Sequence, residues 1–280
     1  MDAITLGFSP CPNDTYIFHA LIHGLVATEI RFAAPLLEDV ETLNAWAMEG
    51  QLDVTKLSFH AFGHILDEYC MLRSGSALGR GCGPLLVSRE PLDLNRGTAL
   101  RVAIPGKYTT AALLFRMFAP QCTNLMEMRF DRIMDSVAAG AVDCGVIIHE
   151  SRFTYGDKGL RCLQDLGAWW EETSGMPIPL GCIAAKRSLG RQKIEEIDAA
   201  VRKSLEVASI DPKRCLPYIR SHSQEIEESV VRDHIGLYVN DYSLDLGEEG
   251  IGAVEAFLQR GRQAGILPPS NQPLSISGRS

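Results

Sequence analysis

One arrangement occurs twice in this chain. A helix-like stretch closing on Gly50-Gln51-Leu52-Asp53-Val54 leads into Lys56-Leu57-Ser58. Ninety positions later a second one closing on Gly140-Ala141-Val142-Asp143-Cys144 leads into Ile147-Ile148-His149. Upstream of each stands a strand, loop and helix opening, over residues 4–15 and 101–110, displaced by nearly the same interval. An order repeated at two levels predicts two related α/β lobes in tandem. A chain of 280 residues has room for two such modest units.

The local patterning agrees with that reading. Residues 3–8 (AITLGF), LDVTKLS, GPLLVSR, ALRVAIPG, VDCGVIIH and GCIAAKR read as strands. They alternate with helical stretches: residues 15–25, LEDVETLNAWAMEG, FHAFGHILDEY, TAALLFRMFA and DRIMDSVAAG. Asn13 and Asp14 are N-cap types for the first of these, and Gly50 and Gly140 suit the position just past a helix end. From about residue 191 the chain reads as mostly helical (QKIEEIDAAVRKSLEVAS, a segment around 224–238, EEGIGAVEAFLQRGRQAG), and a Pro/Ser-rich tail is expected to be loose. Strands alternating with helices predict largely parallel sheets.

Bulk properties exclude several classes. A net charge of −8 argues against nucleic acid or an anionic membrane surface as partner, since both need a basic face. No apolar run approaches the roughly 20 residues of a membrane span. The opening MDAITLGFSP lacks the basic start and apolar core of a signal peptide, so a cytoplasmic location is expected. Eight cysteines are scattered singly with no CxxC pair, which predicts small buried fillers rather than a disulfide or zinc framework.

In parallel sheets ligands bind beyond the carboxyl ends of strands, where loops feed helix N-termini. Residues 9–14, 56–58, 106–111 and 149–152 all occupy such positions, and two lobes facing each other would place them around one cleft. His149 ends an apolar strand and can take a proton near neutral pH, although a surface histidine closing a strand looks the same in sequence. Thr109, Thr110 and Ala111 offer hydroxyls and backbone N–H groups at a helix start, suited to a carboxylate, phosphate or polyol. Lys56 and Ser58 occupy the matching strand end in the first lobe. Either Lys56 or Arg152 can balance a substrate carboxylate. Asp14 reads first as a helix cap and second as a hydrogen-bonding group for substrate. Cys11, between two prolines, has no histidine beside it in sequence and reads as a loop residue rather than a nucleophile. His19/His23 and His60/His64 have the spacing of metal ligands, yet neither pair encloses the glutamate of a zinc protease, and no metal is expected there.

Taken together, GFSPCPNDTYIFHAL, DVTKLSFHAFG, PGKYTTAALL, VDCGVIIHESRFTY and MPIPLGCIAAKR resemble the 1,4-dihydroxy-6-naphthoate synthase family of the futalosine route to menaquinone. The resemblance covers most of the chain up to about residue 190. It implies an α/β, two-lobed fold of the type II periplasmic-binding-protein kind, with the active site in the interlobe cleft. Lobe 1 would comprise residues 1–90 and 183–280, with the C-terminal helices, and lobe 2 residues 91–182. It implies a carbon–carbon lyase that converts cyclic dehypoxanthinyl futalosine to 1,4-dihydroxy-6-naphthoate, with His149 as general base. Lys56, Leu57, Ser58, Thr110 and Ala111 match the family's substrate-contacting positions, and the residue reading adds Thr109 and Asp14. The chemistry calls for no metal or redox cofactor, and the expected partner is a small molecule carrying a carboxylate. Two other readings share the fold: a chorismate dehydratase-like enzyme of the same pathway, and a non-catalytic small-molecule-binding protein.

Overall fold

The computed structural model describes residues 3–223 and 227–276. The chain forms two compact units, one from the segments up to Gly79 and from Pro179 onward, the other from Arg80–Ile178. The first unit opens with β1 (Leu6–Phe8), α1 (Pro12–Ile22), β2 (Leu36–Leu37), α2 (Val40–Met48) and β3 (Val54–Ser58). It continues through α3 (Phe59–His64), β4 (Tyr69–Met71) and β5 (Ala77–Gly79). The second unit holds β6 (Leu85–Ser88), β7 (Val102–Ile104), α4 (Thr110–Phe118), β8 (Leu125–Glu127), α5 (Phe130–Ala138) and β9 (Cys144–Ile147). After these come α6 (Ser151–Thr154), β10 (Arg161–Asp165) and α7 (Leu166–Ser174). The chain then returns through β11 (Ile178–Lys186) and completes the first unit with α8 (Arg191–Ile210), α9 (Leu216–His222), α10 (Glu228–Tyr238), α11 (Asp241–Leu244) and α12 (Gly247–Gln263).

The repeat seen in the sequence is a repeat of topology. In the first unit the strand order β2-β1-β3 is parallel, and in the second β8-β7-β9 is parallel, each threaded as strand, helix, strand, helix, strand. Gly50 (φ 63°) and Gly140 (φ 75°) each follow the second helix of their motif in the left-handed conformation that glycine adopts without strain. Asp53 and Asp143 then bind back to the first strand's approach. Asp53 accepts from the Thr5 backbone N–H and hydroxyl, and Asp143 from the Arg101 N–H and guanidinium. The aspartate of the repeat is thus a clasp between parallel strands.

The sheets are mixed rather than largely parallel as the sequence pattern predicts. β11 runs antiparallel to β3 and β4, and β6 runs antiparallel to β9 and β10. Because β6 pairs within the second sheet, the units divide at Gly79/Arg80, ahead of the position expected near residue 90. The strands β2, β4, β5 and β8 have only two or three residues, and β10 (RCLQD) is a mostly polar edge strand without an apolar run to read.

In the first unit α1 is buried along nearly its whole length, against α8, α9 and α10. Phe8 of β1 stacks on Phe18 of α1 with ring centroids 4.4 Å apart. Ser204 of α8 donates to the Ile17 carbonyl and accepts from the Leu21 N–H, tying the two helices together. The helix read around residues 224–238 begins at Glu228, and residues 224–226 lie outside the described residues. The tail, expected to be loose, is anchored through its described part: the Leu274 carbonyl accepts from the Met71 N–H, and the Pro273 carbonyl from Arg187. Residues 277–280 lie outside the described residues. Among the described residues no helix is long and apolar enough to cross a membrane.

In the second unit α5 lies directly on β9, because Gly145 presents no side chain. A Cβ there would stand 2.5 Å from Ile133 Cγ2 and 3.0 Å from Val137 Cγ2. Gly145→Val is therefore expected to lower the unfolding free energy by about 1–3 kcal/mol through overpacking, read as a reduced denaturation midpoint. An unchanged midpoint would show that α5 has room to move off the strand.

Candidate functional site

In the first unit β1 and β3 are parallel neighbours, paired Leu6 to Val54 and Gly7 to Thr55. Residues 9–14 and 56–58 therefore emerge at the same sheet edge. Their side chains meet. Lys56 Nζ lies 2.6 Å from Asp14 Oδ1, and also donates to the Gly75 carbonyl at 3.4 Å. Asp14 accepts in addition from the Ser9 hydroxyl (2.7 Å), the Ser9 N–H and the Asn13 amide (2.9 Å). Both charged side chains are buried, Lys56 at 6% and Asp14 at 2% exposure. Asn13 is held in turn by His234 of α10, whose Nε2 lies 2.9 Å from Asn13 Oδ1.

This network corrects the reading of Asp14 as a helix cap. The N-cap of α1 is Cys11, with Pro12 at the first helical position, so Asp14 lies inside the first turn. There its charge faces the positive end of the helix dipole while its oxygens bind Ser9 and Lys56. Cys11 contributes its carbonyl, which accepts from the Thr15 N–H and hydroxyl. Lys56 is likewise no solvated cation, because its charge is neutralised in the interior.

Ser58, at the end of β3, is fixed by a residue that the sequence reading missed. Asn44 of α2 accepts from the Ser58 N–H at 3.0 Å and donates to the Ser58 hydroxyl at 3.1 Å. The available signal was an asparagine on the helix face that carries Leu43 and Ala47, all three fully buried. Leu57, between Lys56 and Ser58, is a core residue.

In the second unit β7 and β9 are parallel neighbours, paired Val102 to Cys144 and Ala103 to Gly145. The loop before α4 and the segment after β9 therefore share one edge. Thr109 is the N-cap of α4: its hydroxyl accepts from the Ala112 N–H at 3.2 Å and donates to the Gly106 carbonyl at 2.8 Å. Thr110 and Ala111 follow as the first buried residues of the helix.

His149 follows β9 and is half-buried. Among the described residues it is the one non-glycine with positive φ, at 57°. A left-handed conformation at a non-glycine residue costs about 1–3 kcal/mol and persists where the surroundings impose it. Its ring meets that of Phe130 edge to face, with centroids 4.9 Å apart. Arg152, one turn on, donates to the Gly83 carbonyl and pairs with Asp165 at 2.7 Å, where Asp165 also caps α7. Its guanidinium is thus committed to joining α6 to the segment before β6 and to the end of β10.

The two spaced histidine pairs are tilted ring contacts. His19 and His23 have centroids 4.4 Å apart and lie against Tyr218; His60 and His64 are 5.3 Å apart. Among the described residues no group of three or more His, Cys, Asp or Glu side chains is arranged to hold a metal ion. All eight cysteines are free thiols, and seven are buried. Burial pushes Cys82 and Cys144 up to about 12 and Cys70 up to about 11, which removes them as nucleophiles.

Two α/β units, each with loops gathered at the carboxyl edge of a parallel core, define a fold of the periplasmic-binding-protein class. The periplasmic aliphatic sulphonate binding protein of Escherichia coli shares it, with a TM-score of 0.66 at 10% identity over 100% of this chain and 95% of that one. A crystal structure of a protein from Archaeoglobus fulgidus superposes with a TM-score of 0.89 at 34% identity, over 95% of this chain and 98% of that one. Residues 4–263 match the menaquinone biosynthesis family. Relatives named 1,4-dihydroxy-6-naphthoate synthase occur in Thermus thermophilus, 51% identical over 99% of this chain and 100% of that protein, and in Streptomyces coelicolor, 43% identical over 95% of each. The chain belongs to this menaquinone biosynthesis family.

Asp14→Asn would leave the Lys56 ammonium buried without a counter-charge, with an expected loss of about 3–5 kcal/mol in unfolding free energy. The double variant Asp14→Leu/Lys56→Met should recover most of that loss. Chemical denaturation reads both, and a single-variant loss below about 1 kcal/mol would mean that water reaches the pair.

The His19/His23 contact gives a pH dependence. The His19 imidazole is pushed below its ordinary value by burial, then by His23 and Arg214. The unfolded chain therefore takes up this proton more readily than the folded one. Stability is complete above the unfolded value of about 6.5 and is lost as pH falls below it. The thermal midpoint should drop between pH 7 and pH 5, and drop less in His19→Gln; equal slopes in the two proteins would remove His19 as the cause.

Proposed function

We propose that this chain is a carbon–carbon lyase converting cyclic dehypoxanthinyl futalosine to 1,4-dihydroxy-6-naphthoate in menaquinone biosynthesis, with His149 as the general base. Membership of the menaquinone biosynthesis family and near full-length likeness to two named synthases support the activity. The observation that carries the residue assignment is His149 itself. A strained, half-buried histidine stands at the carboxyl edge of a parallel sheet, the edge from which the loop to the capped start of α4 also leaves. Backbone strain of this kind concentrates at functional sites.

In this proposal Lys56, Leu57 and Ser58 in the first unit and Thr110 and Ala111 in the second contact substrate. Thr109 serves chiefly to shape the α4 start, and Asp14 acts by holding Lys56. Since Lys56 and Arg152 already have carboxylate partners, the substrate carboxylate is met by hydrogen-bond donors at the α4 N-terminus rather than by an open cation. The imidazole takes a proton from a substrate hydroxyl. The released electron pair forms a carbonyl as the carbon–carbon bond breaks and the sugar-derived fragment departs. Formation of the aromatic ring supplies driving force, so positioning and one base suffice. Eight free thiols fit a reducing compartment, and the proposal places the reaction in the cytoplasm.

Incubation with cyclic dehypoxanthinyl futalosine should yield 1,4-dihydroxy-6-naphthoate, identified by mass and fluorescence. His149→Ala should lower kcat by about 10²–10⁴-fold, and kcat/KM of the parent protein should decline toward acid pH as a single base is protonated. Tight binding without turnover would favour a binding protein. Turnover of chorismate instead would favour the dehydratase reading.

A further inference from the structure

We infer that Phe130 is a positioning residue for His149, holding its imidazole in the orientation from which it abstracts the proton. The inference rests on the reading of His149 as general base. It starts from chain threading. β8 ends at the carboxyl edge of the second sheet, and α5 begins three residues later and runs back across it. The first residue of α5, Phe130, therefore stands at the same edge as the end of β9. Gly145 sets how close it comes. With no Cβ there, Ile133 and Val137 press on the strand, and Phe130, one turn before Ile133, is carried in to meet His149.

The contact is a built one. Phe130 is only 9% exposed, so it belongs to the packed interior rather than to an open surface. It meets the imidazole at an interplanar angle of 67° with centroids 4.9 Å apart, within the range of favourable edge-to-face pairs. The left-handed backbone at His149 turns the residue out of the strand line. Rotation about the Cβ–ring bond of histidine is intrinsically broad, so ring direction has to be supplied from outside. A phenyl ring supplies it through packing, without itself hydrogen-bonding to either imidazole nitrogen.

The test uses Phe130→Leu, which keeps apolar volume and removes the flat ring, and Phe130→Tyr, which keeps the ring. Phe130→Leu should lower kcat by about tenfold or more, because small displacements of a reacting group are costly, with KM changed by less than about twofold. Phe130→Tyr should restore most of kcat. In a His149→Ala background, Phe130→Leu should cause no further loss, since its effect passes through the imidazole. Two outcomes overturn the inference: Phe130→Leu keeping the parent kcat while His149→Ala is inactive, or Phe130→Leu lowering the rate equally in both backgrounds. The first leaves the base assignment intact. Undiminished turnover in His149→Ala would instead remove the base, and the inference with it. Should Phe130→Leu fail to fold, shown by loss of the cooperative thermal transition, Phe130→Met takes its place with the same expectations.

Discussion

Parallel pairing of β1 with β3, and of β7 with β9, is the constraint on which the rest depends. Two parallel neighbours cannot be joined by a tight turn, so the chain must cross back over the sheet face through helices. Every strand of the parallel core then releases its chain at one edge and receives it at the other. That geometry gathers residues 9–14 with 56–58, and the loop before α4 with His149. Asp53 and Asp143 lock the pairing by binding the approach to the first strand from the approach to the third.

The charges near these edges follow desolvation. A lysine and an arginine near strand ends look like open cations in sequence, but Lys56 is buried and Arg152 partly so. Lys56 is neutralised by Asp14, and Arg152 by Asp165, each with further hydrogen bonds to satisfy the remaining polar atoms. A buried charge without such partners is strongly unfavourable, so the fold commits these groups to structure. Backbone amides and hydroxyls at helix starts carry fixed partial charges without that penalty. A site whose ligand is a carboxylate can then be built from dipoles.

His149 shows the opposite allocation. The chain tolerates left-handed backbone at a non-glycine residue there, next to a helix that a glycine lets approach unusually near. Local strain, an aromatic wall and a strand end coincide at one residue. Stability alone would favour glycine at such a turn, and the imidazole is what the strained turn holds in place.

By itself the sequence determined the two related α/β lobes, the glycines after their second helices and the long C-terminal helices. Each of these is a local rule, readable from spacing and residue type over one or two elements. The short strands, the antiparallel β6 and β11, the anchored tail, and the partners of Asp14, Lys56 and Arg152 were decided by tertiary structure. Asp14 and Lys56 are 42 positions apart, as are Arg101 and Asp143, and both pairs lie within the repeat, whose spacing does not say which side chains meet. Phe130 and His149 meet because Gly145 admits α5 to the strand, a three-body fact of packing that no local pattern encodes. Spacing along a chain specifies which residues share an element or an edge. Which side chain meets a charge, and which ring steers an imidazole, depends on how closely elements far apart in sequence approach one another.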